Sequence, residues 1–256
     1  MQQCAFLVLL VSCALVHGQE GIDYRDGQYE FKTLYNDSIF LTRLTITRNH
    51  KAIFDRIYEY DRIINITGYD LDGNGQKEYL FDFYTGGAHC CTVMKLGRLR
   101  GDNFRFTDSI YWGNAGYEVT DLDKDGKYEI VGYDDRFAYA FTNYAQSFFS
   151  IAVYRYSGDK FYLANKDFEE TVEEHIRDLK KALAEYIAKG FDCPTTADEE
   201  TFNTDAGAVK AILAPITADY ESIGEVNKGY ALIKEVYKCP DRDKFIKILQ
   251  VEYKLR

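Results

Sequence analysis

Two patterns of apolar positions divide the chain. Up to about residue 165, β-branched and aromatic residues come in short runs, at 29–35, 38–47, 63–67, 77–84, 92–99, 104–112, 128–133, 138–141 and 148–156. Gly, Asn and Asp separate the runs. Short runs punctuated by turn formers predict strands. Phe137, Tyr139 and Phe141 alternate with Ala and read as one half-buried strand. Beyond residue 165 the apolar step changes to three or four. Val172, Ile176, Leu179, Leu183 and Ile187 predict a helix, and Gly190 is placed to end it. Val209, Ile212, Leu213 and Ile216 continue the period, with Pro215 expected to break or kink the segment. Val226, Tyr230, Ile233 and Val236 predict a third helix, stopped at Cys239-Pro240. Asp241 is placed to cap a fourth, which carries Phe245, Ile248 and Leu249. These stripes read as core packing.

The ends and the cysteines set the expected compartment. Residues 1–18 hold no Asp, Glu, Lys or Arg, and 4–16 are apolar apart from one Ser. That run is short for a membrane span, which needs about 20 residues, and suits a secretory signal cleaved before Gln19. The n-region lacks a basic residue, and Leu10-Val11-Ser12-Cys13 also loosely fits a lipoprotein cleavage box. The expected location is extracellular, or periplasmic in a Gram-negative bacterium, with a lipid anchor at Cys13 as the lesser reading. Removal of the signal leaves Cys90, Cys91, Cys193 and Cys239, an even set in an oxidising compartment. One pairing joins Cys193 to Cys239 and Cys90 to Cys91. The alternative crosses the two groups. Asn36 and Asn65 begin Asn-x-Ser/Thr triplets, which are glycan acceptors in a eukaryote and without meaning in a bacterium.

Composition narrows the function classes. The 256 residues are 46% hydrophobic and 16% aromatic, enough for one large core or two modest ones and far from disorder. The net charge of −10 disfavours nucleic acid as a partner. No second apolar stretch is long enough to span a membrane.

Part of the acid surplus is locally ordered. Asp70-Leu-Asp72-Gly-Asn74-Gly75-Gln76-Lys-Glu78 recurs 51 residues later as Asp121-Leu-Asp123-Lys-Asp125-Gly126-Lys127-Tyr-Glu129. Oxygen-bearing side chains stand at positions 1, 3, 5 and 9, with Gly at 6. A tight loop turns alternate side chains inward, and Gly permits the sharp bend. Calcium needs six to eight oxygens, and the main-chain carbonyls of Gln76 and Lys127 at position 7 are expected to add one each. The pattern is not an EF-hand, because position 12 holds Phe81 or Gly132 and each loop runs into a strand. A lone loop of this kind is equally a metal-free turn. Two copies predict two Ca²⁺ sites. The second has four carboxylates against three plus Asn74, and is expected to bind more tightly.

These loops resemble those of FG-GAP/VCBS-type calcium-loop repeat proteins. Three further blocks, Tyr84-Thr-Gly-Gly-Ala-His-Cys-Cys91, Trp112-Gly-Asn-Ala-Gly-Tyr117 and Asp134-Asp-Arg-Phe-Ala-Tyr-Ala-Phe141, are similar to a functionally uncharacterised group of secreted bacterial proteins. In that group the same β region precedes a helical tail, and the resemblance covers roughly 60–255. Two loops at about 50 residues per unit leave room for about three units, and a closed propeller needs at least four blades. The expected fold is therefore α+β. Residues 19–165 would form an all-β, partial-propeller or sandwich-like region. Residues 166–256 would form a small helical region able to cover an exposed sheet edge.

Other candidate chemistry is sparser. The turn 86–91 around His89 reads first as a rigid structural element, and second as a redox, ligand-gripping or transition-metal site. His50 and His175 stand alone in sequence and read as surface residues. Asp134-Asp135-Arg136 reads as an ion pair at a strand end, with an outer-shell carboxylate for the second loop as the lesser reading. No nucleophile elbow, His-Glu-x-x-His or phosphate loop occurs. The leading functional expectation is a secreted, calcium-stabilised binding or adhesion module for a glycan or protein ligand, with exposed Tyr and Trp as its surface. The alternatives are a calcium-dependent hydrolase such as a glycosidase, or a purely structural or inhibitory secreted protein.

Overall fold

The computed structural model describes residues 21–86 and 91–256. The expected signal segment, Cys13, His89 and Cys90 lie outside the described residues. Among the described residues the β region holds twelve strands in three antiparallel sheets, each a simple meander in chain order. The first sheet contains β1 (Asp23–Asp26), β2 (Tyr29–Asn36), β3 (Leu41–Arg48) and β4 (Lys51–Glu59). The second contains β5 (Arg62–Tyr69), β6 (Glu78–Tyr84), β7 (Thr92–Arg100) and β8 (Asn103–Gly113). The third contains β9 (Tyr117–Thr120), β10 (Glu129–Asp134), β11 (Ser150–Ser157) and β12 (Lys160–Leu163). Four helices follow: α1 (Glu169–Lys189), α2 (Asp205–Ser222), α3 (Val226–Val236) and α4 (Arg242–Val251). The fold is α+β.

The second sheet lies between the other two, and β6 shows why. Its side chains alternate between two apolar layers, so nearly the whole strand is buried. Tyr79, Phe81 and Phe83 pack with Phe31, Leu44 and Ile46 of the first sheet. Leu80 joins Leu96, Trp112, Ile130 and Ala152 in the layer toward the third sheet. Each fully buried ring contributes about 1.5–3 kcal/mol. Gly97 makes room for this packing, since a Cβ there would meet Phe81 and Phe104 at 2.6 and 2.7 Å. Trp112 is fully buried, so it takes no part in an exposed aromatic surface.

The helices pack on the third sheet and also finish it. β12 pairs only with the last residues of β11, from Tyr154 onward. The rest of that edge would be left with open backbone groups. Asn165 takes them: its Oδ1 accepts from the Val153 amide (2.8 Å) and its Nδ2 donates to the Ile151 carbonyl (3.0 Å). Asp219 of α2 accepts from the Ile151 amide (2.9 Å). Two side chains thus stand in for the missing strand, as the expected edge cover.

Three local expectations are corrected. Residues 138–141 form no strand. A 3₁₀ turn at Asp135–Phe137 leads into further turns, with Tyr139 at φ 58°. The alternating rings serve the helical core instead: Phe137 lies 4.7 Å from Tyr253 and Phe141 5.1 Å from Phe245. Pro215 does not break α2. It deprives the Ala211 carbonyl of its amide partner, at about 3 kcal/mol. Nearly every side chain of this central helix is buried, which offsets the loss. Asp241 precedes α4 but gives it no side-chain cap. Its carboxylate is held by Lys210 (2.8 Å) and the Tyr237 hydroxyl (2.9 Å) inside the helical region.

Cys193 and Cys239 are disulfide-bonded, so crossed pairing with 90 or 91 is excluded. The bridge closes a loop with a sequence separation of 46. Loop-closure entropy gives it about 4 kcal/mol. Replacing both cysteines by Ser is expected to lower the unfolding free energy by up to that amount, measured by urea denaturation.

His175 is not an isolated surface group. Its Nδ1 lies 2.8 Å from Asp219, which is fully buried. Burial pushes the Asp219 carboxyl up to about 6, against the pull of His175 and the Ile151 amide, and Asp134 adds to the rise. A carboxyl raised in the folded state stabilises fully below its unfolded value of 3.8 and loses that contribution as pH rises through about 6. Relative to Asp219→Asn, the wild-type unfolding free energy is expected to fall by about 2–3 kcal/mol between pH 4 and pH 7. Parallel denaturation series of the two proteins check this, and a pH-independent difference refutes it.

Candidate metal centre

Each acidic loop joins an outer strand to a central one. Loop 70–78 connects β5 to β6 and loop 121–129 connects β9 to β10. Their backbones match. Positions 4 and 6 have positive φ in both: Gly73 (70°) and Gly75 (83°), Lys124 (61°) and Gly126 (86°). The hydrogen bonds match as well. Asp70 accepts from the amides of Asn74 (2.9 Å) and Gly75 (2.8 Å), and Asp121 accepts from those of Asp125 and Gly126 (both 3.1 Å). Asp72 and Asp123 each accept from the position-5 amide at 3.3 Å. The position-5 side chains of Asn74 and Asp125 accept from the position-7 amides of Gln76 and Lys127 at 2.8 Å.

The last member of each loop lies inside the protein. Glu78 is 1% exposed and Glu129 0%. Each accepts from the amide of the loop's second residue, Leu71 (3.2 Å) or Leu122 (3.0 Å). Asp70, Asp72 and Glu78 bring one carboxylate oxygen apiece to within 4.8 Å of one another, and Asp121, Asp123 and Glu129 do the same. Asp125 lies outside that triad and is exposed. Its carboxyl is held below the usual range by the Lys127 amide. Burial pushes the Glu78 carboxyl up, with the Leu71 amide pulling it back. A clustered, partly buried set of hard oxygens is a donor set for a hard cation.

The two loops touch. The Tyr128 amide donates to the Leu71 carbonyl (3.2 Å), and the rings of Tyr69 and Tyr128 lie 5.7 Å apart. Gly73 faces the Gly126 carbonyl, 3.4 Å from where a Cβ would stand. Beside them a cleft of about 220 Å³ is lined by Asp72, Tyr128, Glu129, Arg155 and Tyr156.

The remaining candidates are placed elsewhere. Arg136 pairs with Asp134, as expected of a strand-end ion pair, while Asp135 accepts from the Asn114 amide (3.1 Å). Neither carboxylate has a contact with the second loop among the described residues. His50 sits exposed in the β3–β4 turn. Asn36 Oδ1 holds the Ser38 amide in a turn (3.1 Å). The Asn65 amide nitrogen, the atom a glycan would occupy, donates to the buried Asp82 (3.1 Å), which also accepts from Tyr117 (2.7 Å). Four of the acids lining a polar cleft of about 250 Å³ in the helical region are already engaged: Asp198 by Lys244, Glu199 by Thr195, Glu200 by the Thr201 and Phe202 amides and Asp241 by Lys210.

A second surface feature had no clear signal in the sequence. Phe40 and Tyr60 both have positive φ, 51° and 63°, although neither is Gly. The Tyr60 amide donates to the Phe40 carbonyl (2.8 Å), and their rings lie 6.4 Å apart at 21°. They are 54% and 73% exposed. With Tyr35, Arg62 and Tyr84 they line a cleft of about 420 Å³. The Arg62 guanidinium lies 5.0 Å over the Tyr35 ring. The cleft is marked by two positive-φ aromatics far apart in sequence, Phe40 just before β3 and Tyr60 just after β4, and that conformation is not legible in sequence.

Comparison with known proteins gives limited relationships. No family model matches the chain, and no solved structure matches it. It is similar to a probable thylakoid lumen protein of Synechocystis sp., with 27% identity over 181 residues, 68% of this chain and 48% of that protein. It is also similar to an uncharacterised protein of Sinorhizobium fredii, with 29% identity over 85 residues, 33% of this chain and 14% of that one. The chain thus matches less than half the length of either relative.

Proposed function

We propose that this chain is a calcium-binding module of an oxidising, secreted or lumenal compartment, with one Ca²⁺ in each acidic loop, and that its β region presents a binding surface for a glycan. The single observation that carries the calcium reading is the twinned loop. Two segments 51 residues apart in sequence repeat the same backbone bends and the same set of amide-to-carboxylate bonds around converging oxygens. In each loop the carboxylates at positions 1, 3 and 9 are the proposed ligands. Asn74 or Asp125 and the position-7 carbonyl of Gln76 or Lys127 would complete the shell. The three serial meanders favour a partial-propeller arrangement, in keeping with the resemblance to FG-GAP/VCBS-type proteins. The compartment reading draws on the Cys193–Cys239 bridge and on the lumenal name of the Synechocystis relative.

The role of calcium is structural. Each proposed ion would neutralise acids at the contact between the second and third sheets. A ligand that binds only the native state raises stability. For a site of Kd about 10⁻⁴ M, 10 mM Ca²⁺ adds about 2.7 kcal/mol, or roughly 5–10 °C in Tm for a chain of this size. Thermal scans in EDTA and in 10 mM CaCl₂ check this. An unchanged Tm removes the calcium reading.

The binding surface is the Phe40–Tyr60 cleft. Exposed rings held at strained backbone positions are typical of ligand clamps. The cleft suits a small ligand of one or two sugar units rather than a protein, whose interface needs about 800 Å² per partner. Flat pyranose faces stack on aromatic rings, and the Arg62 edge supplies polarity. A glycan array is expected to give a hit that Phe40→Ala and Tyr60→Ala each weaken at least about tenfold, the level of an aromatic hot spot. Binding that survives both substitutions places the ligand elsewhere.

A further inference from the structure

The repeat extends past the loops into the third strand of each unit. In the third sheet Ile130 pairs with Tyr154, so Glu129 stands opposite Arg155. In the second sheet Tyr79 pairs with Gly97, so Glu78 stands opposite Arg98. The two arginines occupy equivalent places, and they do different things. Arg155 turns onto the second loop: its Nε lies 2.9 Å from Glu129, and its guanidinium also bonds Asp123 and lies 3.9 Å from Asp125. Its far side meets Asp167 at 3.9 Å and stacks 4.6 Å over the Phe168 ring. Arg98 stays near Glu78, close enough for its charge to act on that carboxylate, but among the described residues it makes no ion pair with the first loop. It pairs with Asp159, in the β11–β12 turn, and donates to the Tyr156 hydroxyl (2.5 Å). Among the described residues Glu78 has no ion pair.

The geometry points to an inequality between the two sites: Arg155 acts as a built-in cation that closes the second loop against Ca²⁺, while Asp159, by holding Arg98 aside, keeps the first loop open. This rests on the calcium reading above and reverses the affinity order expected from counting carboxylates. The count is misleading because two cations sit on the second loop, Arg155 on Asp123 and Glu129 and Lys127 on Asp125 (3.4 Å), so its extra carboxylate gives it no surplus of negative charge over the first. The ligand atoms differ as well. In the second loop Glu129 Oε1 and Asp123 Oδ2 are already engaged by the guanidinium, and a metal ion must displace it. In the first loop no cation has to leave.

Calorimetric titration with CaCl₂ at fixed ionic strength tests this on the full chain. Wild-type protein is expected to show one tighter and one weaker site. Asp72→Asn should remove the tighter one and Asp123→Asn only the weaker. Arg155→Gln should tighten the weaker site at least about tenfold, since a guanidinium within about 4 Å of a divalent ion is strongly repulsive. Asp159→Asn should weaken the first site by freeing Arg98. If Arg155→Gln fails to fold, the Asp72→Asn and Asp123→Asn pair still ranks the sites in an otherwise native chain. Two equal sites, or a tighter second site unmoved by Arg155→Gln, overturn the inequality and leave the calcium reading standing. No heat in any variant, with no change in Tm, overturns both.

Discussion

Two carboxylates buried where strands begin set the terms for the rest of the β region. Glu78 and Glu129 open the central strands of their sheets and are sealed from water at the contact between those sheets. A buried carboxylate is costly unless donors or cations surround it. The acidic loops supply part of the answer, since each folds its second amide back onto the buried oxygen. That same bond fixes the loop against the strand and brings the Asp side chains to the same point. Loop shape and sheet contact thus follow from one requirement, the compensation of charge at position 9.

The layers beyond this contact solve a different problem with similar means. Every sheet is a four-stranded meander, and each needs its faces and edges covered. Aromatic residues cover the faces between the first and second sheets, where Phe31, Tyr79, Phe81 and Phe104 pack at tilted and edge-on angles. The helical region covers the third sheet, and its polar groups take the place of strand backbone. Asn165 and Asp219 are buried because the amides and carbonyl they serve are buried. Asp219 is then drawn into a pair with His175, which ties α1 to α2 across the same edge.

What sequence shows and hides follows from these roles. Central strands such as β6 and β11 were legible, because burial on two faces demands dense apolar runs. The strands that no apolar run marks, β1, β4, β9 and β12, are the edges of the first and third sheets. Edge strands face water on one side and carry mixed, charged residues, so their pattern is weak. The four helices were legible from their apolar period, and even α2 was marked correctly apart from the effect of Pro215. The loops were legible because all their oxygens lie within nine residues. The segment 137–141 alternated like a strand, yet its rings are anchors for Tyr253 and Phe245. Alternation records which side chains are buried and not what they are buried against.

Arg98 and Arg155 mark the limit of that legibility. Nothing local distinguishes them: each is a basic residue in a strand, and only strand register places both opposite a buried glutamate. Their divergence is decided further away, by a turn that puts Asp159 beside Arg98 and by a helical junction that puts Asp167 and Phe168 beside Arg155. The first of these partners belongs to the third sheet and pulls an arginine out of the second. The other belongs to the start of the helical region and receives the outer side of Arg155. The two loops are alike as sequence and as local geometry, and their chemistry differs because their neighbours differ. The guanidinium of Arg155 bridges the second loop to Asp167, whereas Glu78 of the first loop meets Tyr156 and the charge of Arg98. Among the described residues, the helical region is therefore joined by an ion pair to the second loop and not to the first.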